Sequence, residues 1–194
     1  PKIDRLRICF AGVMMGYKGP HVLLEALGLL KKLKIPFTCE FAGDFVDPRY
    51  EHHFKAFIEK YNVAEEVRLL GFCSRKQLAA MYARNNVFVM PSSFDEPFGK
   101  VQVEAQSAGL AVVRSASGGY ADMVEDGVNG LLFKRKDAQD LARQLFVLNG
   151  DRELWRRLAD RGQADAFRFT TSKTVESLEK VFEALIERAK ALRS

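Results

Sequence analysis

Long apolar runs are missing from this sequence: no segment approaches the ~18 consecutive apolar residues of a membrane-spanning helix. The first residues, Pro1-Lys2-Ile3-Asp4-Arg5, carry no apolar core of a secretion signal and no initiating Met, so a fragment of a longer chain is expected. Cysteine is scarce. Cys9, Cys39 and Cys73 stand far apart, two of them inside apolar runs and without metal-ligand spacing, which argues for reduced, buried thiols in a cytosolic protein. Histidine is equally sparse. His21 begins a helix beside a glycine-rich loop and His52-His53 lie on a polar helix face, so surface positions are expected and no catalytic triad can be assembled. Neither G-K-[ST] nor G-x-G-x-x-G occurs, which removes the Walker loop and the dinucleotide fingerprint. The net charge of +5 is modest. Its densest part, Lys134-Arg135-Lys136 followed by Arg152, Arg156, Arg157 and Arg161, has the pattern of a solvated surface. Aromatic residues are not interleaved with it, which argues against a nucleic-acid platform.

What the chain does have is 47% hydrophobic content over 194 residues, ample for one core. Short apolar runs alternate with longer amphipathic ones. Strands are expected at "LRICFA", "FTCEFAG", "VRLLGF", "VFVM", "LAVVRS" and "GLLF", each apolar on both faces. Helices are expected over Pro20 to Lys34, Tyr50 to Tyr61 and, from a Ser74–Gln77 capping box, to about Arg84. A short helix is expected after Gly118-Gly119. Beyond Asp137, a plausible N-cap, three amphipathic segments run over Ala138 to Leu148, Arg152 to Phe167 and Ser172 to Leu192. No repeat, low-complexity stretch or linker interrupts the chain. This pattern predicts an α/β fold, a doubly wound parallel sheet in a single domain over 1–194, with an α/β core to 136 and a helical tail over 137–194. Ligands of such sheets bind outside the carboxyl ends of the strands.

One stretch there carries the chemistry: "PSSFDEPFGKVQVEAQSAGLAVV", Pro91 to Val113. Glu96 precedes a helix start at Gly99, and Glu104 lies about one turn into that helix. The free N–H groups of Phe98, Gly99 and Lys100 and the helix dipole favour a phosphate, and Gly99 permits close backbone approach. Flanking carboxylates would repel a phosphate unless they accept hydrogen bonds from hydroxyls, so a ligand with polyols on both sides of a diphosphate fits: a sugar nucleotide. On spacing alone, two ordinary early-helix acids, favoured there by the dipole, are the stronger explanation of the pair. A second loop, "FAGVMMGYKG", adds Gly12, Gly16 and Gly19 for tight approach and Lys18 as a cation for phosphate.

Taken together and in order, these motifs resemble the C-terminal, donor-binding half of retaining GT-B glycosyltransferases, specifically glycosyltransferase family four (glycosyl transferases group 1). The strand-loop-Lys-Gly-helix at Phe10 to Leu24, "VRLLGF", the Pro91 stretch, "SGGYADMVEDGVNGLLF" and "FRFT" before the last helix carry the resemblance over nearly the whole chain. It implies a Rossmann-like half of the GT-B fold. It also implies catalytic roles for Glu96, on the donor sugar's hydroxyls, and Lys18, on the pyrophosphate of the departing nucleoside diphosphate. Glu104 would bind the ribose hydroxyls. Phe98, Gly99 and Lys100 would offer backbone N–H groups, Gly12 and Gly16 would shape the phosphate loop, and Phe72 would stack on the base. The resemblance further implies a nucleoside diphosphate sugar as substrate and no metal or other cofactor. It implies an acceptor-binding N-terminal domain in the same protein, and a part in polysaccharide or other glycan assembly. Basic faces would suit docking of the intact enzyme on the inner face of a membrane. Departures are Val13 where Arg usually follows the first loop glycine, Lys100 at a usually apolar position, Asp122 for Glu, and Gly43-Asp44-Phe45 for Gly-Asp-Gly. A starch- or glycogen-synthase-like domain, a sugar-nucleotide 2-epimerase and a degenerate, non-catalytic binding domain are the alternatives.

Overall fold

The computed structural model describes residues 5–96, 98–116 and 123–191. The Gly118-Gly119 helix and Asp122 lie outside the described residues. Six parallel strands form one sheet: β1 (Leu6–Ala11), β2 (Phe37–Ala42), β3 (Val67–Gly71), β4 (Val87–Met90), β5 (Ala111–Ser115) and β6 (Leu131–Phe133), in the order β3-β2-β1-β4-β5-β6. The helices are α1 (Pro20–Lys32), α2 (Pro48–Lys60), α3 (Arg75–Arg84), α4 (Lys100–Ser107), α5 (Ala138–Gly150), α6 (Arg152–Ala166) and α7 (Thr171–Ala191).

Side-chain alternation along each strand separates the two layers. Ile8, Phe10, Val87, Val89 and Val113 pack with α1, α2 and α5, whereas Cys9, Ala11, Phe88, Met90 and Val112 pack with α3 and α4. Strand β3 departs from the expectation of two buried faces. It is an edge strand, and Arg68 and Leu69 are exposed. Capping residues set several helix starts. Ser74 and Gln77 form the expected capping box, and Asp137 accepts from the Asp140 N–H. Helix α2 begins at Pro48, earlier than periodicity suggests, because Asp47 accepts from the Arg49 N–H and Pro48 fills the first position. Helix α1 stops before the expected Lys34, which turns left-handed at φ 57°.

Helix α5 contributes Leu141, Leu145 and Leu148 to the main core. Helix α6 is pinned by two long side chains: Trp155 Nε1 donates to the Asn86 carbonyl at 2.8 Å, and Gln163 Nε2 to the Ser107 carbonyl at 2.9 Å. Helix α7 differs. Val175, Leu178, Val181, Phe182, Leu185 and Ile186 keep 46–59% of their surface exposed, so this apolar stripe adds nothing to the core.

Candidate functional site

The strand order reverses between β1 and β4, and a crevice opens where the chains leaving their carboxyl ends diverge. The loops after β1 and β4 meet there and are fastened together. The Ser93 N–H donates to the Tyr17 carbonyl at 2.7 Å, and the Tyr17 and Phe94 rings meet edge to face at 5.0 Å. Gly19, at φ 72°, lies so close to Pro91 that an added Cβ would sit 2.0 Å from its carbonyl oxygen. Gly12 and Gly43 press together in the same way on the β2 side, where the Gly12 N–H donates to the Ala42 carbonyl at 2.9 Å.

This fastening brings Lys18 to Glu96. Lys18 Nζ lies 2.9 Å from both Glu96 oxygens and 4.8 Å from the Phe94 ring centroid, and Ser92 Oγ donates to Glu96 Oε2 at 3.2 Å. With side-chain exposures of 21% and 14%, the pair is largely shielded from water. Gly99, left-handed at φ 72°, caps α4, and its carbonyl accepts from the Gln102 N–H at 2.8 Å. The N–H groups of Lys100 and Val101, at the first two helical positions, have no carbonyl within the helix and point toward its open end. A cavity of about 390 Å³ lies in front of these groups, lined by Gly12, Lys18, Ser92, Glu96, Gly99 and Lys100 among others.

A second cavity, of about 290 Å³, shares Gly12, Val13 and Val101 with the first and is walled by Asp44, Phe72 and Cys73. Phe72 is 74% exposed at its rim. Leu78 leads to a third depression, of about 620 Å³, between α3 and α4. Glu104 lies there, its Oε2 3.5 Å from the Tyr82 hydroxyl. Burial, and then the Glu104 charge, push the Tyr82 phenol well above its ordinary value.

The predicted residues therefore separate. Lys18, Glu96, Gly12, Phe98, Gly99 and Lys100 surround one cavity, with Lys100 exposed at its rim and the Phe98 ring 5.6 Å from that of Phe169. Phe72 walls the adjoining cavity and Glu104 the depression beyond, so the two glutamates do not share one chamber. Gly16 lines none of these cavities; it opens a 3-10 turn against the Tyr50 ring. Val13 stays 40% exposed between the first two cavities. Cys9 and Cys39 are buried as expected, but Cys73 is only partly buried and faces the second cavity, where desolvation still raises its thiol above the usual range. His21 is half-buried rather than on the surface. Its Nδ1 lies 3.0 Å from the Tyr50 hydroxyl, and burial lowers its pKa.

Sequence reasoning missed two contributors beside Glu96 and one buried charge nearby in the fold. Ser92, within "PSS", supports Glu96 directly. Arg135, taken as solvated surface, pairs with Asp95 beside Glu96. Arg114 is 1% exposed at the end of β5, and the available signal was a lone charge inside the apolar run "LAVVRS". Among the described residues, no group of three or more His, Cys, Asp or Glu side chains is placed to hold a metal ion. No helix among them is long and apolar enough to cross a membrane.

Comparison with known proteins agrees with this architecture. The D-inositol 3-phosphate glycosyltransferase of Streptomyces bingchenggensis is 30% identical over 98% of this chain, and that of Stackebrandtia nassauensis 32% identical over 95%. In both cases the match covers 43% of the relative, so the chain spans less than half the length of these relatives. Among solved structures, Anabaena Alr3699/HepE in complex with UDP and glucose superposes with a TM-score of 0.84 at 26% identity, over 93% of this chain and 49% of that one. A C-terminal domain of a group 1 family glycosyl transferase from Francisella tularensis, at 23% identity, shares the fold with a TM-score of 0.74 over 84% of this chain and 85% of its own. Residues 2–165 match the family described as glycosyl transferases group 1, and with most of its length inside that match the chain belongs to this glycosyltransferase family.

Proposed function

We propose that this chain is the donor-binding domain of a retaining hexosyltransferase. It holds a nucleoside diphosphate sugar while the bond from the anomeric carbon to the diphosphate oxygen is exchanged for one to an acceptor hydroxyl, with configuration kept. One observation carries the reading: Lys18 and Glu96, 78 residues apart in sequence, meet within 2.9 Å at the strand-order reversal, beside the exposed start of α4. Glu96 accepts from the sugar hydroxyls. Lys18 and the first-turn N–H groups of α4 receive the negative charge that grows on the leaving diphosphate, the task a metal ion performs elsewhere. Phe72 offers the base an exposed ring, and Glu104 accepts from the ribose. The complexes of the Anabaena neighbour with UDP-glucose and with UDP support this class of ligand.

Calorimetric titration with UDP-glucose, GDP-mannose and ADP-glucose, each with and without EDTA, tests the reading. At least one nucleotide should bind, and EDTA should not change its affinity. Flat traces for all three from the folded chain would sink the proposal. The exposed Val13, where this family commonly carries Arg, favours a second reading as a non-catalytic nucleotide-sugar-binding domain. Introducing Glu96→Gln into the complete protein separates the two: an enzyme loses orders of magnitude in transfer, a binding domain has none to lose.

A further inference from the structure

Lys18 closes a segment whose backbone has little rigidity of its own. Gly12, Gly16 and Gly19 punctuate it, and the 3-10 turn Gly16–Lys18 has no side-chain cap. Glycine leaves a backbone many accessible conformations, so neighbours must select one. On one side these are Pro91, Ser93 and Phe94 of the loop after β4. On the other side stands Tyr50, in the first turn of α2. Its ring packs on Phe45 and on the fully buried Phe54, with both centroids 6.3 Å away. Phe45 is bridged to Met14, whose N–H donates to the Asp44 carbonyl at 2.9 Å. From that base the Tyr50 ring backs Gly16, where an added Cβ would lie 3.8 Å from Tyr50 Cε2. The Tyr50 hydroxyl meets Nδ1 of His21, in the first turn of α1, at 3.0 Å, and the two rings stand edge to face at 6.1 Å. Tyr50 thus touches the chain on both sides of Lys18. Burial lowers the pKa of His21, with Glu25 opposing and Lys136 assisting, and burial pushes the Tyr50 phenol up to about 12. Both partners are therefore neutral near pH 7, and a neutral imidazole hydrogen-bonds a phenol in either tautomer.

This support matters because Lys18 and Glu96 have to part when a donor arrives. The diphosphate requires the ammonium and the sugar hydroxyls require the carboxylate, so the turn loses its tie to Glu96 at the moment it is used. We propose that Tyr50 and His21 are positioning residues that fix the backbone on either side of Lys18, so that its ammonium reaches the diphosphate without the turn reordering. The ligand step rests on the donor-binding reading; the support of the turn by Tyr50 and His21 does not.

Calorimetric titration with UDP tests it. Y50F removes the hydroxyl and keeps the ring, and it should weaken binding about threefold to tenfold, the span of one neutral hydrogen bond. H21L should weaken binding within the same range, whereas H21N, which keeps a polar atom at the Nδ1 position, should stay within about twofold of wild type. Unchanged affinity in Y50F and H21L overturns the proposal, and so does an H21N as weak as H21L. The same change in a K18M background separates positioning from a merely structural role. If Tyr50 acts through Lys18, Y50F should add less than about twofold once Lys18 is Met. Equal weakening in both backgrounds overturns the proposal. Should Y50F not fold, H21L and H21N carry the same comparison. A wild type that binds no UDP overturns the donor reading, and the ¹H–¹³Cε signal of Lys18 then decides. Its movement in Y50F relative to wild type upholds the support of the turn, and an unmoved signal refutes it.

Discussion

At the residue scale, the Lys18–Glu96 pair occupies the hydrogen-bonding capacity that a donor would use. A charge-assisted hydrogen bond contributes roughly 1.5–3 kcal/mol, or about 10- to 100-fold in affinity. Lys18→Met should therefore weaken UDP binding by about that factor in calorimetry. An unchanged affinity would remove Lys18 from the phosphate site. Glu104 has a narrower task. Its carboxylate rests against the Tyr82 hydroxyl, on the far side of the cavity walled by Phe72. If it accepts from the ribose, wild type should prefer UDP over its 2′-deoxy analogue by about tenfold, the worth of one such hydrogen bond. Glu104→Gln should erase most of that preference. A preference that survives the substitution assigns ribose recognition elsewhere.

At the scale of elements, the joint between the two loops is built on backbone contact that tolerates no side chain. Gly19→Ala would combine a left-handed residue with a Cβ 2.0 Å from the Pro91 carbonyl. We expect a loss of at least about 2 kcal/mol in urea denaturation, together with weaker nucleotide binding. The start of α5 responds to acid instead. The Lys134 N–H donates to Asp140 at 2.7 Å, and Arg143 pairs with the same carboxylate, so that first hydrogen bond and then the arginine hold Asp140 below the ordinary carboxylate range. A carboxyl with a depressed pKa in the folded state stabilises the fold above its unfolded value and loses that contribution as pH falls through the folded one. Asp140→Asn should accordingly flatten the fall of Tm below about pH 4. An identical acid profile would deny the carboxylate this role.

These elements also show what the sequence could and could not reveal. The capping box at Ser74 and the N-cap at Asp137 are local, so their helix starts were readable residue by residue. The start of α2 was misplaced although Asp47-Pro48 is an equally local signal, because apolar periodicity outweighed it. The site needed the strand order. The motif at Pro91 places Glu96 before a helix, but nothing in a linear chain says that β1 and β4 are neighbours, and hence that Lys18 will reach it. The buried state of Arg114, the support from Ser92 and the Arg135–Asp95 pair depend on the same unseen neighbours. Glu104 illustrates the converse: its spacing along α4 did not reveal that α3, through Tyr82, shares its surroundings.

For the whole molecule, the three cavities adjoin, neighbouring ones sharing Val101 or Leu78 as a wall. On the proposed reading, the groups assigned to sugar, diphosphate, base and ribose all line these three cavities. Transfer has further requirements. Water must be kept from the anomeric carbon and an acceptor hydroxyl presented to it, yet relatives that match 95–98% of this chain are more than twice as long. We expect the chain alone to bind a sugar nucleotide and to release nucleoside diphosphate from it no faster than the uncatalysed reaction. Binding should also weaken severalfold between about 50 and 300 mM salt, since a chain of net charge +5 attracts a diphosphate through a field that salt screens over about 10 Å or less. Calorimetry at the two ionic strengths, alongside a diphosphate-release assay on the same preparation, checks both halves. Steady release of diphosphate by this chain would mean that its own groups suffice to break the anomeric bond with water as the acceptor, and would overturn the expectation. Binding of equal strength at the two salt concentrations would show that charge does not hold the ligand. Binding without turnover is the pattern that a donor-holding half requires.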